Sequence, residues 1–378
     1  MENDIKPDEQ PMNPERRRLL GAAGAGALAA TFGGVLAGAY GQAQARQHGP
    51  LRWGFVGTGG IANSMAPMVA LAADAELVAV SSRKMETAQS FADKHGLDQA
   101  FDSWADMIAW GGVDAIYVAT PTSVREEICV AAARGGKHVL GEKPFANLPS
   151  LKRITAACRE NGVGFMDGTH FPHHPRTAHI KSNMKDSVGW PWSVASAFQF
   201  GLTDTGNIRL QPQLEPYGAI GDAGWYNMKA AVEYSAPGVE IRSVEAFLRR
   251  DAETGAAISA SGVIVLDDGS TTTFNCGFDS GAGIMDLRIT GAKGVIKLDD
   301  FLRVRPADQP ARYEYISGWG GSETVELPPS KRGAALMFED FAAMVGDPEL
   351  IEASIRSTKR TQEWLDAFWN SALRNEQV

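Results

Sequence analysis

A glycine-rich turn between a strand and a helix is the feature that most restricts the fold of this chain. Residues 51–56 (LRWGFV) are typical of a short buried strand, and they run directly into GTGGIA at 57–62. An apolar helical stretch follows over 62–73, and a second strand over 76–80. A G-x-G-x-x-A turn in this strand–turn–helix–strand context is the fingerprint of a dinucleotide-binding unit.

Each small residue of the turn has a physical reason. Gly57 permits the tight bend, Gly59 lets the backbone approach a pyrophosphate, and Ala62 keeps the helix close to the sheet. The helix N-terminus then presents free N–H groups to the phosphates. The alternative is a glycine-rich turn that binds no ligand. The predicted phosphate-binding residues are Gly57, Thr58, Gly59, Gly60 and Ile61.

The residues after the second strand indicate which dinucleotide fits. A site for NAD usually places an acidic residue there, on the 2′-hydroxyl of the ribose. Here the sequence reads Ser81-Ser82-Arg83-Lys84, without a carboxylate. Ser82, Arg83 and Lys84 therefore favour the 2′-phosphate of NADP over NAD. The alternative is that Arg83 and Lys84 belong to a solvated helix start.

The composition excludes several other classes of protein. The 378 residues include 36 Lys and Arg and 45 Asp and Glu, so the formal net charge is −9, unlike that of a nucleic-acid-binding protein. Cys129, Cys158 and Cys276 are too few for a disulfide framework and too far apart for a zinc cluster. We therefore expect no nucleic-acid partner and no metal site.

The first 45 residues have the layout of an export signal. Three arginines at 16–18 precede 23 uncharged residues at 19–41, of which 15 are Gly or Ala. Ala43-Gln44-Ala45 then supplies small residues for a signal peptidase. The consecutive arginines resemble a twin-arginine (Tat) signal, so we predict export to the periplasm by the Tat machinery with cleavage near Ala45. The alternative is a membrane anchor through residues 19–41.

Two further strands end in candidate ligand-binding loops. The apolar run 112–119 ends in Thr120-Pro121, and the run 137–140 ends in GEKP at 141–144. Ligands of open α/β sheets bind at the carboxyl ends of the strands, and in a doubly wound sheet this order places Lys143 beside the nicotinamide. The predicted cofactor-binding residues of these loops are Thr120, Pro121, Glu142 and Lys143.

The order of these motifs resembles that of the Gfo/Idh/MocA oxidoreductases, and the resemblance covers essentially all of residues 51–375. The matching segments are GTGGIA (57–62), ATPT (119–122), GKHVLGEKP (136–144), GDAGWY (221–226) and GAKGVI (291–296). The resemblance implies that Lys143 bridges the reacting hydroxyl and the nicotinamide ribose, and that Tyr226 donates or accepts the proton. It further implies that Asp222 orients the substrate or holds Lys143, and that Glu142 holds the cofactor and the lysine. The Lys143–Pro144 bond is often cis in the family.

The implied chemistry explains why these residue types are needed. Oxidising a C–OH group by hydride loss requires a base for the hydroxyl proton. A tyrosine titrates at about pH 10, so we expect the Lys143 ammonium to stabilise the Tyr226 phenolate. Asp222 precedes Tyr226 by four residues, so we expect the two on the same face if this stretch forms one helix. The alternative is that Asp222 caps the helix while Tyr226 packs in the core.

Substrate contacts are predicted from a basic segment and an aromatic residue. The segment HHPR at 173–176 presents two imidazoles and a guanidinium to a sugar or an acid. We take His174 and Arg176 as candidate substrate contacts and Trp225 as a candidate stacking surface. No metal is expected here, because Asp167 and the imidazoles lack a recognised ligand spacing.

The second half of the sequence predicts an antiparallel sheet. Runs at 241–248, 260–266, 271–278 and 285–290 are typical of strands, and Asp268-Gly269 of a hairpin turn. The predicted fold class is therefore α/β. An N-terminal Rossmann domain with a doubly wound parallel sheet precedes a C-terminal α+β domain with a large open, mainly antiparallel sheet.

The predicted domain layout follows from these patterns. The family resemblance implies that the C-terminal sheet often forms a subunit interface, so a homodimer or homotetramer is expected. The predicted segments are a signal peptide (1–45), an NADP-binding domain (50–170), a substrate and oligomerisation domain (171–350) and a C-terminal helix that returns to the first domain (351–378).

The predicted function is an NADP-dependent oxidoreductase that transfers hydride between a C–OH group of a sugar or polyol and the nicotinamide. The periplasm has no dinucleotide pool, so an exported enzyme would keep its NADP and recycle it by oxidising one substrate and reducing another, as some members of the family are understood to do. The alternatives are an exchanging dehydrogenase for a dihydrodiol or keto sugar, and a non-catalytic NADP-binding sensor.

Overall fold

The computed structural model describes residues 49–303, 309–319 and 321–376. The predicted Tat signal, its cleavage near Ala45 and the alternative anchor at 19–41 lie outside the described residues. Within the described ranges, no helix combines the length and the apolar character that crossing a membrane requires.

The first half of the described chain alternates strands and helices. In chain order these elements are β1 (Leu51–Val56), α1 (Gly60–Leu71), β2 (Ala75–Ser81), α2 (Met85–His95), β3 (Gln99–Phe101), α3 (Trp104–Ala109), β4 (Ala115–Val118), α4 (Thr122–Arg134), β5 (His138–Gly141), α5 (Leu148–Glu160) and β6 (Phe165–Asp167). The strands form one sheet in the order β3-β2-β1-β4-β5-β6, and every neighbouring pair is parallel. The strand order reverses between β1 and β4, which confirms the predicted doubly wound Rossmann sheet.

Both faces of this sheet are buried, so its strands are apolar runs rather than alternating ones. On one face, the Trp53 ring of β1 packs 4.9 Å from the ring of Phe338 in a later helix. On the other face, Ile116 and Val118 of β4 pack with Ile128 of α4. Burial on both sides fixes the carboxyl ends of β1, β4, β5 and β6 along one edge.

The second half of the described chain builds a larger sheet and four longer helices. Its elements are a short 3₁₀ turn (Phe171–His173), α6 (Pro175–Ser187), β7 (Pro191–Gly201), a second 3₁₀ turn (Ile208–Leu210), α7 (Gly218–Asp222), α8 (Gly224–Tyr234), β8 (Ile241–Arg250), β9 (Ala257–Leu266), β10 (Thr271–Gly277), β11 (Asp279–Ile284), β12 (Leu287–Gly291), β13 (Gly294–Leu298), β14 (Ala311–Ser317), β15 (Gly321–Leu327), α9 (Gly333–Met344) and α10 (Pro348–Asn375).

The second sheet confirms the predicted open, mainly antiparallel arrangement. Its order is β15-β14-β13-β12-β7-β10-β9-β8, with β11 paired to β7. Strands β7 and β10 pair in parallel, whereas the other neighbours are antiparallel. One face carries α8, where the Asn227 side chain donates to Ser196 Oγ of β7 at 2.8 Å. Phe247 and Thr273 are exposed on the opposite face.

The C-terminal helices connect the two sheets. Helix α9 packs Phe338 and Phe341 against Trp53 of β1, so by packing it belongs with the first sheet, although the predicted boundary at 350 places it in the second domain. Helix α10 contacts both halves. Gln362 Oε1 accepts from the backbone N–H of Phe145 after β5, while Ser371 Oγ donates to a carbonyl oxygen of β8. The two sheets therefore share one hydrophobic core around the carboxyl end of β5.

Candidate active site

The turn after β1 requires a glycine at its first position. Gly57 has φ +109°, a conformation that L side chains rarely adopt. A Cβ at this position would lie 2.6 Å from the carbonyl oxygen of Ala119 at the end of β4. The backbone N–H of Gly57 donates to Ser81 O of β2 at 2.9 Å. The turn is thus held against two neighbouring strands at the carboxyl edge of the sheet.

The N-terminus of α1 fits a pyrophosphate. Gly59 precedes the helix and provides no side-chain cap, so the first N–H groups of the helix keep their hydrogen-bonding capacity. Gly59, Gly60 and Ile61 are exposed, and a Cβ on either glycine would meet only open space. The Asn63 amide donates to the carbonyl oxygens of Thr58 and Gly59, which fixes the turn. Backbone donors, the helix dipole and free space together suit an anion.

The loop after β2 fits the 2′-phosphate of NADP. Arg83 and Lys84 are exposed beside the turn, and the sequence 81–84 carries no carboxylate. Ser82 Oγ lies 3.4 Å from Thr58 Oγ1, so the loop reaches the phosphate-binding turn. Ser82, Arg83 and Lys84 thus lie where a ribose phosphate next to the pyrophosphate would meet them.

A buried arginine joins the loops that follow β4 and β5. The Arg125 guanidinium donates to the carbonyl oxygens of Thr120 and Pro144, and to Thr122 Oγ1 at 3.1 Å. Thr120 Oγ1 is buried without a protein partner in the described residues. Thr120 and Pro121 are therefore held in place at the carboxyl edge of the sheet, and we call this segment the Thr120-Pro121 ledge. The Thr120 hydroxyl can still bond to a bound group.

Glu142 is a buried positioning carboxylate. It accepts a short hydrogen bond from the Tyr117 hydroxyl and a second one from the backbone N–H of Lys143 at 3.2 Å. Burial raises the pKa of Glu142, although the nearby Lys143 charge opposes that shift. A Cβ on Gly168 would lie 2.7 Å from Glu142 Oε1, so only glycine leaves room for this carboxylate. Glu142 holds the backbone of the lysine rather than its ammonium group.

Lys143 follows β5 of the first sheet, and its side chain extends to Asp222 at the end of α7. The Lys143–Pro144 peptide bond is cis. Lys143 Nζ donates to Asp222 Oδ1 at 2.8 Å and to the Asp222 carbonyl oxygen at 2.9 Å. The same Nζ lies 4.7 Å from the centroid of the Tyr226 ring, and only 7% of the side chain is exposed. Lys143, Asp222 and Tyr226 are therefore one contact cluster.

Asp222 binds two cations and does not cap a helix. It ends α7, and Ala223 separates it from α8, which begins without a side-chain cap. Arg209 Nε donates to Asp222 Oδ2 at 2.7 Å, whereas Lys143 binds Oδ1. Burial favours the neutral acid, but the charges of Lys143 and Arg209 prevail and hold the pKa of Asp222 well below its usual range. The capping alternative for Asp222 is therefore wrong.

Tyr226 is in the neutral, proton-donating form. Burial raises its pKa well above the usual value, and the negative charges of Glu142, Asp222 and Asp167 act in the same direction. We expected the Lys143 ammonium to stabilise a phenolate. In the structure that ammonium lies over the Tyr226 ring face and pairs with Asp222, and its effect on a phenolate stays a prediction. Burial is the largest cause of the raised pKa of Tyr226.

Two further residues complete the cluster. The His170 ring lies 5.7 Å from the Tyr226 ring, and burial with the charges of Lys143 and His173 lowers the pKa of His170 to about 4. His170 is therefore a neutral imidazole at pH 7. It is the third residue after β6, and position near a strand end is the signal that indicates it. Arg209, in the loop before α7, was also missed, and no local pattern marks it.

The predicted substrate contacts lie in the protein interior. His174 caps α6, where its Nδ1 accepts from the backbone N–H of Arg176 at 3.0 Å. The buried Arg176 guanidinium donates to Asp300 O at 2.8 Å. The Trp225 ring is wholly buried, and its Nε1–H donates to Thr169 Oγ1 at 2.6 Å. These side chains are used within the protein, so the structure gives them supporting rather than substrate-binding positions.

The cluster contains donors and acids but no metal-ligand set. Within the described ranges, no group of three or more His, Cys, Asp or Glu side chains is arranged to hold a metal ion. An ammonium, a neutral phenol and a neutral imidazole converge at the same edge as the phosphate-binding turn. This arrangement suits proton transfer to an oxygen next to a bound dinucleotide.

Comparisons with known proteins agree with this geometry. Residues 51–169 match the oxidoreductase family with an NAD-binding Rossmann fold. The chain is 27% identical to a D-xylose 1-dehydrogenase (NADP(+)) of Haloferax volcanii, over 85% of this chain and 97% of that protein. It is 30% identical to a dTDP-3,4-didehydro-2,6-dideoxy-alpha-D-glucose 3-reductase of Actinomadura kijaniata, over 61% of this chain and 69% of that protein.

A solved structure extends the likeness to both halves of the fold. A 3-ketoreductase from Actinomadura kijaniata, crystallised with NADP and TDP-benzene, superposes with a TM-score of 0.78. The match covers 85% of this chain and 98% of that chain at 24% identity, so it concerns the fold. Together with the sequence matches, it shows that the chain belongs to the Gfo/Idh/MocA family of NAD(P)-dependent oxidoreductases.

Proposed function

We propose that this protein is an NADP-dependent oxidoreductase that transfers hydride between a carbinol or carbonyl carbon of a sugar or polyol and the nicotinamide. The observation that carries the proposal is the cluster of Lys143, Asp222 and Tyr226 at the edge that also bears the Gly57 turn. The relatives whose names specify sugars or sugar nucleotides support the substrate class.

Each residue of the cluster has a separate role in proton transfer. When bound, NADP(H) supplies or accepts the hydride. An ammonium group has three N–H donors, and two of those of Lys143 bond to Asp222, which leaves one for the reacting oxygen. In the reducing direction, the neutral Tyr226 hydroxyl gives its proton to the carbonyl oxygen of the substrate as the hydride arrives at the carbon. The alcohol and a tyrosinate result.

The oxidising direction reverses these steps. The tyrosinate takes the hydroxyl proton of an alcohol while the hydride leaves the carbinol carbon and a carbonyl forms. The Lys143 ammonium stabilises the negative charge on the oxygen in both directions. Burial and the surrounding carboxylates raise the pKa of Tyr226, which keeps the phenol in the protonated form that the reducing direction uses.

A single substitution separates catalysis from cofactor binding. Lys143→Met removes the ammonium, so we expect turnover with NADP(H) and a panel of aldoses, ketoses and cyclic polyols to be lost while NADPH fluorescence still reports binding. The matched control is Lys152→Met on α5, an exposed lysine outside the cluster. Wild-type turnover in Lys143→Met would contradict the assignment. Absence of NADPH binding by the wild-type protein would contradict the function.

We also propose that the protein is exported by the Tat machinery to the periplasm and keeps its NADP there, recycling it between one sugar that is oxidised and a second carbonyl compound that is reduced. The support is the three consecutive arginines at 16–18, the uncharged segment at 19–41 and the small residues near Ala45. Protein purified from the periplasm should carry stoichiometric nucleotide. Protein without nucleotide would favour an exchanging dehydrogenase for a dihydrodiol or keto sugar.

We further propose a homodimer or homotetramer through the exposed face of the second sheet. Its support is the exposed Phe247 on β8, a large apolar side chain on the face of the sheet opposite α8. Light scattering tests this proposal, with Phe247→Glu as the variant expected to yield a monomer.

A further inference from the structure

The loop between β7 and α7, residues 202–217, brings an arginine to the catalytic carboxylate. Arg209 Nε donates to Asp222 Oδ2 at 2.7 Å, and its Nη2 lies 3.4 Å from Asp222 Oδ1. Lys143 Nζ binds Oδ1 at 2.8 Å. Arg209 thus binds both oxygens of the carboxylate, most closely Oδ2, and Lys143 binds Oδ1; the arginine side chain is 38% exposed and the lysine side chain 7%.

A second anchor fixes the same loop to the first sheet. Glu215 accepts from the Thr122 backbone N–H at 3.1 Å and from Thr122 Oγ1 at 2.6 Å. The carbonyl oxygen of Leu214 accepts from the Ser123 backbone N–H at 3.1 Å. Thr122 and Ser123 directly follow the Thr120-Pro121 ledge, so the loop is bonded both to the proposed cofactor site and to Asp222.

The binding of Asp222 by two cations fixes the position of the Lys143 ammonium. A guanidinium holds a carboxylate in a defined plane because its N–H groups are fixed in a fork. With Arg209 on Oδ2, Asp222 is held so that Oδ1 and the Asp222 carbonyl oxygen both meet Lys143 Nζ. Without Arg209, Oδ2 loses its charged partner, and the carboxylate is free to turn toward the ammonium. Such a turn draws Nζ away from the Tyr226 ring and from the reacting oxygen.

We propose that Arg209 is a positioning residue that acts through Asp222 to hold the Lys143 ammonium in line with Tyr226. Through Glu215, the same loop couples this alignment to the Thr120-Pro121 ledge. The inference rests on the proposed function for its kinetic consequences only. Its structural consequence, the displacement of Lys143 when Arg209 is removed, is independent of the substrate.

The test compares Arg209→Ala and Arg209→Lys with the wild-type enzyme. We expect kcat of Arg209→Ala to fall about 10- to 100-fold, because small misplacements of catalytic groups cost this much, while the Kd of NADPH stays unchanged. Added guanidinium chloride should restore part of kcat in Arg209→Ala and leave the wild-type enzyme unaffected. Arg209→Lys should recover little of the lost kcat, since a lysine ammonium cannot fix both the plane of the Asp222 carboxylate and its distance as a guanidinium does.

Two further measurements separate positioning from a general structural role. In an Asp222→Asn background, Arg209→Ala should cost little more, because the residue through which it acts has lost its charge. The acid limb of the kcat profile should move to higher pH in Arg209→Ala, since Arg209 lowers the pKa of Asp222. Arg312→Ala, which breaks an exposed pair with Glu326, is the control and should change neither kcat nor the profile.

A crystal structure of Arg209→Ala tests the inference without any measurement of activity. A rotated Asp222 carboxylate and a displaced Lys143 Nζ support it, even if no sugar is found to react, in which case the proposed function alone fails. An unmoved Lys143–Asp222 pair, unchanged kcat, or a loss that guanidinium does not restore would overturn it.

Discussion

Lys143 Nζ lies 4.7 Å from the centroid of the Tyr226 ring and 2.8 Å from Asp222 Oδ1, so one ammonium group joins the catalytic phenol to a carboxylate. Lys143 follows β5 of the parallel sheet, whereas Asp222 and Tyr226 belong to the helices under the second sheet. The cluster therefore forms only when the two halves pack together. The raised pKa of Tyr226 keeps its phenol protonated, which is the form that the proposed proton donor needs.

The first prediction concerns Tyr226→Phe, which removes the proton donor. We expect kcat to fall about 10²- to 10⁴-fold, as general acid catalysis contributes that much, with NADPH binding retained. The measurement is steady-state reduction of a carbonyl substrate. Tyr315→Phe, whose hydroxyl bonds to carbonyl oxygens of Ser187 and Lys293, is the matched control and should keep wild-type kcat. Equal rates for the two variants would reject Tyr226 as the acid.

The second prediction concerns the choice of cofactor. Arg83→Ala should weaken NADPH binding about tenfold or more while NADH binding changes little, because a charge-assisted contact to the 2′-phosphate is lost. Fluorescence titration with each dinucleotide provides the comparison. Arg134→Ala removes an exposed arginine of α4 and should leave both affinities unchanged. Equal weakening for NADPH and NADH would place Arg83 away from the 2′-phosphate.

The third prediction concerns the space beside Glu142. Gly168→Ala places a Cβ about 2.7 Å from Glu142 Oε1, so the carboxylate must move. We expect a loss of about 1–3 kcal/mol in the free energy of unfolding, as for other overpacked sites, and a lower kcat because Glu142 holds the Lys143 backbone. Urea unfolding and turnover test this. Gly111→Ala, where a Cβ would meet open space, is the control.

The dinucleotide-binding half could be predicted because its signal is local. The Gly57 turn, the strand ends at Thr120 and Lys143, and the apolar strands are each contained in a few consecutive residues. Lys143, Asp222 and Tyr226 came from the family resemblance, and their contacts agree with it. The state of Tyr226 could not be predicted, since it depends on Glu142 and Asp167, which are distant in sequence.

Two other residues mark the limits of sequence reasoning. Arg209 lies in the short 3₁₀ turn between β7 and α7, and its partner Asp222 is brought to it only by the fold. His174 was taken as a substrate contact because it is basic, but it directly precedes Pro175, the first residue of α6. A polar residue before a proline at the first helical position is typical of an N-cap, so that signal was present in the sequence.

The fourth prediction concerns the pH dependence of stability. Burial and the nearby Arg176 lower the pKa of His174 to about 4, compared with about 6.5 in an unfolded chain. The unfolded state therefore binds more protons below about pH 6.5, and stability is lost as the pH falls toward 4. This group alone accounts for about 3 kcal/mol at most.

His174→Asn tests that prediction, because asparagine retains a capping acceptor but does not titrate. We expect the decrease of Tm between about pH 6.5 and 4 to be smaller in His174→Asn than in the wild-type protein. Circular dichroism melts at several pH values provide the comparison. His179→Asn is the comparison: burial lowers the pKa of His179 as well, but this histidine is less buried, so the slope should change less than in His174→Asn. Identical pH slopes for wild type and His174→Asn would mean that protonation of His174 does not cause the loss of stability.

The most direct test of the central claim is a single-turnover experiment on the protein loaded with NADPH. Mixing it with an aldose or a keto sugar should discharge the absorbance band of the reduced nicotinamide in the wild-type protein and in Lys152→Met. Lys143→Met should bind NADPH equally and leave the band unchanged. Two results would contradict the proposed hydride transfer. One is discharge of the band at the wild-type rate in Lys143→Met. The other is a wild-type protein that binds NADPH but does not oxidise it with any sugar or polyol-derived carbonyl compound.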